Sequence, residues 1–284
     1  MKKLLITIPL LFALVACNNE SPELPGVFSV DRHKQIQFSP GLLQYRASTN
    51  TWRFAKSQLE FIGEDNLKIS PTYNGWIDLF GYGCTGYDDK YPWQTSTNRE
   101  DYAPSFDGGI IGMEYDWGVH CDIQNGGPKG GWRLPTTDDW YCILSYRDNA
   151  ENLSTLTYID TLKGILILPD GWENTDGLDL HFVKGGIMTR GQKVIEKNHL
   201  TKQQWKKLEA SGAVFIPFSG ERRWRGKELV YTSQYAILWT SICLCDNCQP
   251  WVAGSLTNSK EDAVTFGDTK VYYGLAVRLV KDVK

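Results

Sequence analysis

The stretch from about Gly75 to Gly131 most constrains how this chain can fold. Glycine, aspartate, tyrosine and tryptophan are frequent in it, and its apolar residues follow neither the spacing of a helix nor that of a strand. An irregular segment of this length must either pack on its own aromatic side chains or carry a function. The segment therefore predicts a loop-rich, aromatic-rich domain.

The composition excludes two broad classes of protein. The 284 residues include 11 Trp and 14 Tyr, whereas charged residues make up only 22%, which is the opposite of a disordered chain. The formal net charge of −3 supplies no positive field for binding a phosphate backbone. We therefore expect a compact globular protein with no nucleic-acid partner.

The first residues have the pattern of a targeting signal. Two lysines precede an apolar run from Leu4 to Ala16, which has the length of a signal-peptide core and is short for a membrane span. The run ends in Leu-Val-Ala-Cys, which resembles the bacterial lipobox. That resemblance implies a signal peptide over 1–16, lipidation of Cys17 and anchoring to a membrane.

The lipobox also predicts the layout of the rest of the chain. A polar tether over 17–27 would lead into a single domain over 28–284, within which 28–75 could form a small β subdomain. Asn18 is not the Asp that retains some lipoproteins at the inner membrane, so the resemblance implies the outer membrane. The periplasmic face and the cell surface both remain open.

Several short runs predict strands separated by turns rich in Gly, Pro, Ser and Asn. These runs are 35–39, 42–47, 51–55, 163–168, 213–218, 235–241 and 272–280.

Two helices are predicted from their capping residues. Thr136 and Asp139 have the spacing of a capping box, and Trp140 begins an apolar face that continues to Leu144. The second predicted helix begins with a capping box of the same kind.

Thr201 and Gln204 form the second capping box, and Leu200 and Trp205 have the spacing of a hydrophobic staple. Gly212 then favours a left-handed end to the helix. Two helices among many short strands predict an α+β domain, with the helices flanking small antiparallel sheets, instead of regular β-α alternation.

The run from Gly131 to Trp140 resembles a known signature, W-R-L-P-T-x-x-E-W, with Asp139 in place of its Glu. The signature marks the formylglycine-generating-enzyme or sulfatase-modifying-factor branch of the C-type-lectin-like fold. With 164–172, 209–220 and 273–280, the chain resembles bacterial lipoproteins that carry a Fibrobacter-type major paralogous domain. The resemblance implies a compact, loop-rich C-type-lectin-like domain.

We interpret this motif as structural. Trp132 and Trp140 would fill the core, Arg133 would bridge buried carbonyls or a carboxylate, and Thr136 would cap the helix. A role of these side chains in ligand binding is the less favoured alternative.

The cysteines leave several hypotheses open. In the enzymes of this family a cysteine pair binds copper and oxidises a substrate cysteine, and Cys243, Cys245 and Cys248 lie in a comparable region. Their C-x-C-x-x-C spacing does not align with that pair, so we expect a non-catalytic protein without a cofactor. A Zn or Cu site at these three thiols is the alternative. Cys84 and Cys121 form a plausible disulfide in an exported chain.

Two segments are candidates for ligand binding. Asp88, Asp89 and Trp93 lie beside two tyrosines and could form a carbohydrate platform, because aromatic rings pack on the C–H faces of sugars. Burial of these rings in the core is the competing interpretation. The second segment is a run of cations around a tryptophan, which could hold a phosphate, an acidic sugar or lipid headgroups, or could be a solvated hairpin tip. It consists of Arg222, Arg223, Trp224 and Arg225.

Trp251 is a further candidate, because loop tryptophans that share one exposed cleft would mark a binding surface. The sequence thus predicts a membrane-anchored, non-catalytic surface lipoprotein that binds a glycan or a protein. An oxidoreductase of the formylglycine-generating type and a structural component of the envelope or of an adhesin are the alternatives.

Overall fold

The computed structural model describes residues 24–104, 106, 108–189, 194–241, 252–258 and 263–283, with backbone alone for Trp224 and 252–258. Short strands and short helices alternate with long loops, which gives a mixed α+β fold of small sheets as predicted. The helices are α1 (Trp117–His120), α2 (Thr137–Tyr141) and α3 (Lys202–Ala210). The strands are β1 (Phe28–Asp31), β2 (Lys34–Phe38), β3 (Leu43–Arg46), β4 (Thr51–Phe54), β5 (Ser154–Ile159), β6 (Leu162–Ile167), β7 (His199–Leu200), β8 (Val214–Pro217), β9 (Glu221–Arg223), β10 (Glu228–Val230), β11 (Ile237–Trp239), β12 (Val252–Asn258), β13 (Val264–Lys270) and β14 (Val280–Asp282).

A four-stranded sheet with the order β7-β5-β6-β8 separates two hydrophobic clusters. Strand residues alternate between the two faces, so the cross-strand pair Leu166 and Phe215 lies on one face and the pair Ile165 and Ile216 on the other. Helix α3 covers the first face through Trp205, whose ring centroid is 5.7 Å from that of Phe215. The second face packs against the main core.

A second sheet joins the two ends of the described chain. Strand β2 lies between β1 and β14, with Phe38 opposite Val280. Val280 also exchanges two backbone hydrogen bonds with Arg133, at 2.8 and 2.9 Å. The strands at 28–38 are therefore hydrogen-bonded to the C-terminal strand, which in turn holds the Trp132–Trp140 motif.

The folded domain begins before the first strand. Leu24 is buried in the main core, and Gly26 packs so closely on Gly212 that an added Cβ would lie 2.2 Å from the Gly212 carbonyl oxygen. The end of the tether predicted over 17–27 is therefore corrected: from Leu24 onward the chain is docked on the domain.

Helix α2 begins with the predicted capping box, which is confirmed. The Thr136 hydroxyl accepts from the Asp139 amide at 2.9 Å, and the Asp139 carboxylate accepts from the Thr136 amide at 2.8 Å. Trp140 is fully buried. The helix then widens into a π-helical turn over Cys142–Tyr146, a conformation that the apolar spacing did not predict.

Helix α3 also begins and ends as predicted. The Thr201 hydroxyl accepts from the Gln204 amide at 3.2 Å, and the Gln204 side chain accepts from the Thr201 amide at 2.9 Å. Leu200 and Trp205 are buried in the same cluster, as the staple requires. Gly212 adopts the left-handed φ of 93° that ends the helix.

Replacing Thr201 by Ala should lower the free energy of unfolding by about 1 kcal/mol, because the Gln204 amide loses its acceptor. The cap is exposed, so water limits the loss. Urea unfolding followed by tryptophan fluorescence measures the change. Thr201→Ser keeps the hydroxyl and is the control, and an equal loss for both substitutions would contradict the capping role.

The loop-rich stretch packs on its own aromatic side chains, as predicted. Tyr82, Tyr102, Tyr115 and Trp117 are all buried in one cluster with rings from β3 and β4. Helix α1 and isolated β-bridges are the main regular features between Gly75 and Gly131. Burial of aromatic rings, more than strand pairing, therefore stabilises this region.

The predicted strands are found within one or two residues of their expected ends, with one exception. The prediction of a strand over 272–280 is wrong for most of that length: 274–276 make only single bridges, to Arg222, Phe80 and Leu238. These partners come from three different segments, so no single neighbouring strand pairs with 274–276 along their length. Strands β1, β5, β7, β9, β10, β12, β13 and most of β14 were not predicted.

In the part of the chain that the structure describes, no helix has both the length and the apolar character needed to cross a membrane.

Candidate functional site

A cleft of about 550 Å³ opens where three distant segments meet. The turn between β3 and β4 supplies Thr49, Asn50 and Thr51, and the chain after α1 supplies Asp122 and Gln124. The third segment is the loop 85–93, which carries the predicted platform. We call this site the aromatic cleft, because stacked rings form one of its walls.

The wall is a stack of rings that runs from the surface into the core. Tyr91 and Trp93 lie with ring centroids 5.0 Å apart and planes only 7° apart. Trp93 also contacts Tyr45, at 6.1 Å, and Tyr45 contacts the buried Trp52, at 4.5 Å. Tyr91 is 38% exposed, whereas Trp93 is half-buried beneath it. The ring that a ligand meets is therefore mainly Tyr91, and Trp93 supports it.

The two predicted carboxylates hold the loop in shape. Asp88 and Asp89 adopt left-handed φ angles of 49° and 58°, which turn the chain sharply before Tyr91. The Tyr91 hydroxyl donates to Asp89 Oδ1 at 2.5 Å, and Tyr115 donates to Asp88 Oδ2 at 3.0 Å. Lys90 pairs with the same Asp88 carboxylate at 3.2 Å. These bonds orient Tyr91, and the Tyr115 hydrogen bond, followed by that from Lys90, lowers the pKa of Asp88.

The opposite wall is polar. His120 Nδ1 lies 2.6 Å from Glu114 Oε2, and this hydrogen bond lowers the pKa of the Glu114 carboxyl. Asp122 and Gln124 follow in the chain and are exposed in the cleft. The wall therefore offers carboxylate, amide and imidazole groups that can form hydrogen bonds with a ligand.

The floor of the cleft is fixed by buried groups. The Trp117 indole donates to the Cys84 carbonyl at 3.1 Å, and the Cys121 thiol donates to the Thr85 carbonyl at 3.9 Å. Cys84 and Cys121 are both free, so the predicted disulfide between them is wrong: each thiol packs separately in the aromatic core. Burial raises the pKa of both thiols, which keeps them neutral.

Arg222 lies beneath the stack instead of on the surface. Its buried guanidinium donates to the Leu79 carbonyl at 3.1 Å and to the Gln94 carbonyl at 3.4 Å. Burial lowers its pKa to about 10. A buried side chain cannot meet a ligand, so the assignment of Arg222 to a binding patch is corrected. It holds the residue that follows Trp93, and thus anchors one end of the platform loop.

The rest of the predicted cationic segment forms the tip of the β9–β10 hairpin. Arg223 is ion-paired with the buried Glu221, and its guanidinium carbon lies 4.7 Å from the centroid of the Tyr273 ring and 5.2 Å from that of Tyr231. Arg225 is exposed at the turn, with a left-handed φ of 56°. The cations therefore separate into a buried, a stacked and an exposed one, and they do not form one patch.

The Trp132–Trp140 motif lies behind the cleft and joins its parts. Arg133 bridges two carboxylates, Asp139 at 2.6 Å and Asp282 at 2.8 Å, which ties α2 to β14. The Trp132 indole donates to the Gly126 carbonyl at 2.5 Å. The backbone of Trp132 and Arg133 also packs directly on Gly118 of α1. The motif thus positions the helix that delivers His120 to the cleft.

Several predicted residues lie outside the described part of the chain, namely Cys17, Cys243, Cys245, Cys248 and Trp251. For Trp224 the side chain is likewise outside it. Trp239 is described and is fully buried, with its indole donating to the Phe80 carbonyl at 2.7 Å. Among the described residues no group of three or more His, Cys, Asp or Glu side chains is arranged to hold a metal ion.

A second cleft, of about 770 Å³, lies on another part of the domain and is lined by Tyr146 and Asp148. Tyr146 is 72% exposed and stacks on Tyr141, at 6.0 Å. A partly buried ion pair, Arg147 with Asp170 at 3.0 Å, also lines it. The Tyr146 and Asp148 side chains are both exposed, and neither lines the aromatic cleft.

Sequence reasoning identified the platform loop but missed the other walls. The residues of these walls belong to no sequence motif, and nothing in the sequence places them beside Tyr91; they are Thr49, Asn50, His120, Asp122 and Gln124.

No protein-family model matches the chain, and neither the curated proteins nor the solved structures include one with significant similarity to it.

Proposed function

We propose that this chain is a non-catalytic, membrane-anchored surface lipoprotein that binds a glycan in the aromatic cleft. The observation that carries the proposal is the exposed Tyr91 ring, stacked on Trp93 at the edge of a polar cleft. A sugar ring can lay its C–H face on such a platform. The stack below Tyr91 keeps the platform rigid, so little conformational freedom is lost on binding.

The groups around the platform suit a sugar. Thr49 and Asn50 on one side and Asp122 and Gln124 on the other supply hydroxyl, amide and carboxylate groups. Sugar hydroxyls both donate and accept, and a few convergent polar groups of this kind set their orientation. The cleft volume of about 550 Å³ lies within the range of small-molecule sites.

The non-catalytic part of the proposal is supported by the state of the cleft thiol. Cys121 lines the cleft, but its thiol is buried and donates to the Thr85 carbonyl. A neutral, buried thiol is a poor nucleophile and a poor metal ligand. The anchoring part is supported by the lipobox resemblance at Cys17, which implies a lipid seven residues before the docked Leu24.

The test is binding of the purified protein to a panel of neutral, acidic and amine-bearing oligosaccharides, followed by calorimetry on those that bind. Tyr91→Ala should weaken binding about tenfold or more, because it removes the stacking face. Tyr91→Phe keeps the ring and should retain most of the affinity. Tyr146→Ala removes an exposed stacked tyrosine from the other cleft and should have no effect.

Two results would count against glycan binding at this site. One is the absence of binding across the panel by protein with an intact near-UV circular dichroism spectrum. The other is equal binding by the wild-type protein and Tyr91→Ala.

A further inference from the structure

We infer that the glycan bound in the aromatic cleft carries protonated amino groups, as a chain of unacetylated amino sugars does, and that acidic glycans are disfavoured. This inference rests on the proposed function and adds the charge class of the ligand.

The cleft has more carboxylates than its own cations can neutralise. Lys90 is paired with Asp88 at 3.2 Å, and the His120 imidazole lies 2.6 Å from Glu114. Lys129 is close enough to Glu114 to interact with it electrostatically, so two lysines face the four carboxylates of Asp88, Asp89, Glu114 and Asp122. Asp89 accepts from the neutral hydroxyl of Tyr91, which leaves its charge uncompensated there. Asp122 adds an exposed carboxylate, and the described residues that line the cleft include no Lys or Arg.

Elsewhere in the molecule several aromatic rings carry cations of the chain itself. The guanidinium carbons of Arg46 and Arg53 lie 4.3 and 3.8 Å from the centroid of the Trp76 ring. Lys281 lies 5.4 Å from the Trp132 ring, and Arg223 packs on tyrosines at the β9–β10 hairpin. In the described part of the chain, no Lys or Arg is placed over Tyr91 or Trp93.

The aromatic cleft therefore combines an exposed aromatic face with a net negative field. A ligand ammonium group gains from both, by cation–π attraction to the ring and by Coulomb attraction to the carboxylates. A uronic or sialic acid meets the same carboxylates with a like charge. The site thus favours a cationic sugar over a neutral one of the same shape, and a neutral one over an acidic one.

The experiment compares chitosan hexasaccharide, chitin hexasaccharide and an oligogalacturonate by calorimetry at about pH 5.5, where sugar amines are protonated. At low salt the chitosan oligomer should bind about fivefold to tenfold more tightly than the chitin oligomer. High salt should reduce this preference, since the carboxylates are exposed. Asp122→Asn should also reduce it without abolishing chitin binding. Asp148→Asn makes the same charge change in the other cleft and should leave it unchanged.

The outcomes separate this inference from the proposed function. Equal affinities for the chitosan and chitin oligomers, both weakened by Tyr91→Ala, would overturn the amine preference and leave glycan binding intact. Tightest binding of the oligogalacturonate would overturn it as well. If folded wild-type protein binds none of the three oligosaccharides, the proposed function and the inference would both be overturned. A preference that survives Asp122→Asn but is lost in Asp148→Asn would place the amine outside the aromatic cleft and overturn it.

Discussion

Replacing Asp116 by Ala should lower the free energy of unfolding by about 3 to 5 kcal/mol. The Asp116 carboxylate is fully buried, and its Oδ1 accepts from the amides of Gly118 and Leu134, each at 3.0 Å. The first bond caps helix α1, and the second holds the strand segment of the Trp132–Trp140 motif. Without the carboxylate both amides lose their partner in the core, where each such loss is costly. Urea unfolding followed by tryptophan fluorescence measures the effect.

Asp116→Asn is the matched control, since its side-chain oxygen can occupy the position of Oδ1 and keep both hydrogen bonds. Its cost should depend on pH. Burial raises the pKa of Asp116 to about 6, so between about pH 4 and 6 the folded protein holds a proton that the unfolded chain has released. The wild-type protein therefore loses stability as the pH rises through this window, whereas the Asn variant does not. The cost of Asp116→Asn should thus be about 2 to 3 kcal/mol greater at pH 4 than at pH 7.

A pH-independent difference between these two proteins would contradict the burial of a titrating carboxyl at this position. Asp78, which is also buried and has its pKa raised to about 6, is present in both proteins and cancels in the comparison.

Local signals account for what could be predicted from the sequence. Thr136 with Asp139 and Thr201 with Gln204 satisfy backbone amides within one turn of a helix, so the residues that decide the structure are adjacent in the chain. The aromatic packing of the loop-rich stretch follows from composition alone. The π-helical turn after α2 depends on tertiary packing, and no local pattern in the sequence marks it.

The candidate site was predicted in part, because only one of its walls has a local signal. The cluster of aromatic and acidic residues before Trp93 is visible in the sequence, whereas Asn50 and Asp122 reach the same cleft only through long-range packing. For Arg222 the local sequence signal indicated the wrong location. In the sequence it belongs to a run of cations, which usually lies on a surface. In the structure Arg222 is buried against the Leu79 and Gln94 carbonyls, while Arg223 stays partly exposed.

Replacing Gly118 by Ala should be as damaging as removing the Asp116 carboxylate, with a loss of about 3 kcal/mol or more in the free energy of unfolding. A Cβ built on Gly118 lies 2.3 Å from the carbonyl carbon and oxygen of Trp132 and 2.5 Å from the Arg133 amide nitrogen. All three are backbone atoms held by the pairing of Arg133 with Val280, so they cannot rotate away as a side chain would. Helix α1 must therefore shift.

The shift would reach the aromatic cleft, because α1 ends at His120 and the chain then enters the cleft wall at Asp122. Gly118→Ala should thus weaken glycan binding even at temperatures where the variant remains folded. Gly267→Ala is the control: among the described atoms none lies within 4 Å of an added Cβ there, and its φ is an ordinary one. It should change the free energy of unfolding by less than about 1 kcal/mol and leave binding intact. Equal stabilities of the two variants would mean that α1 does not rest on the Trp132 backbone, and the motif would then have no part in positioning the cleft.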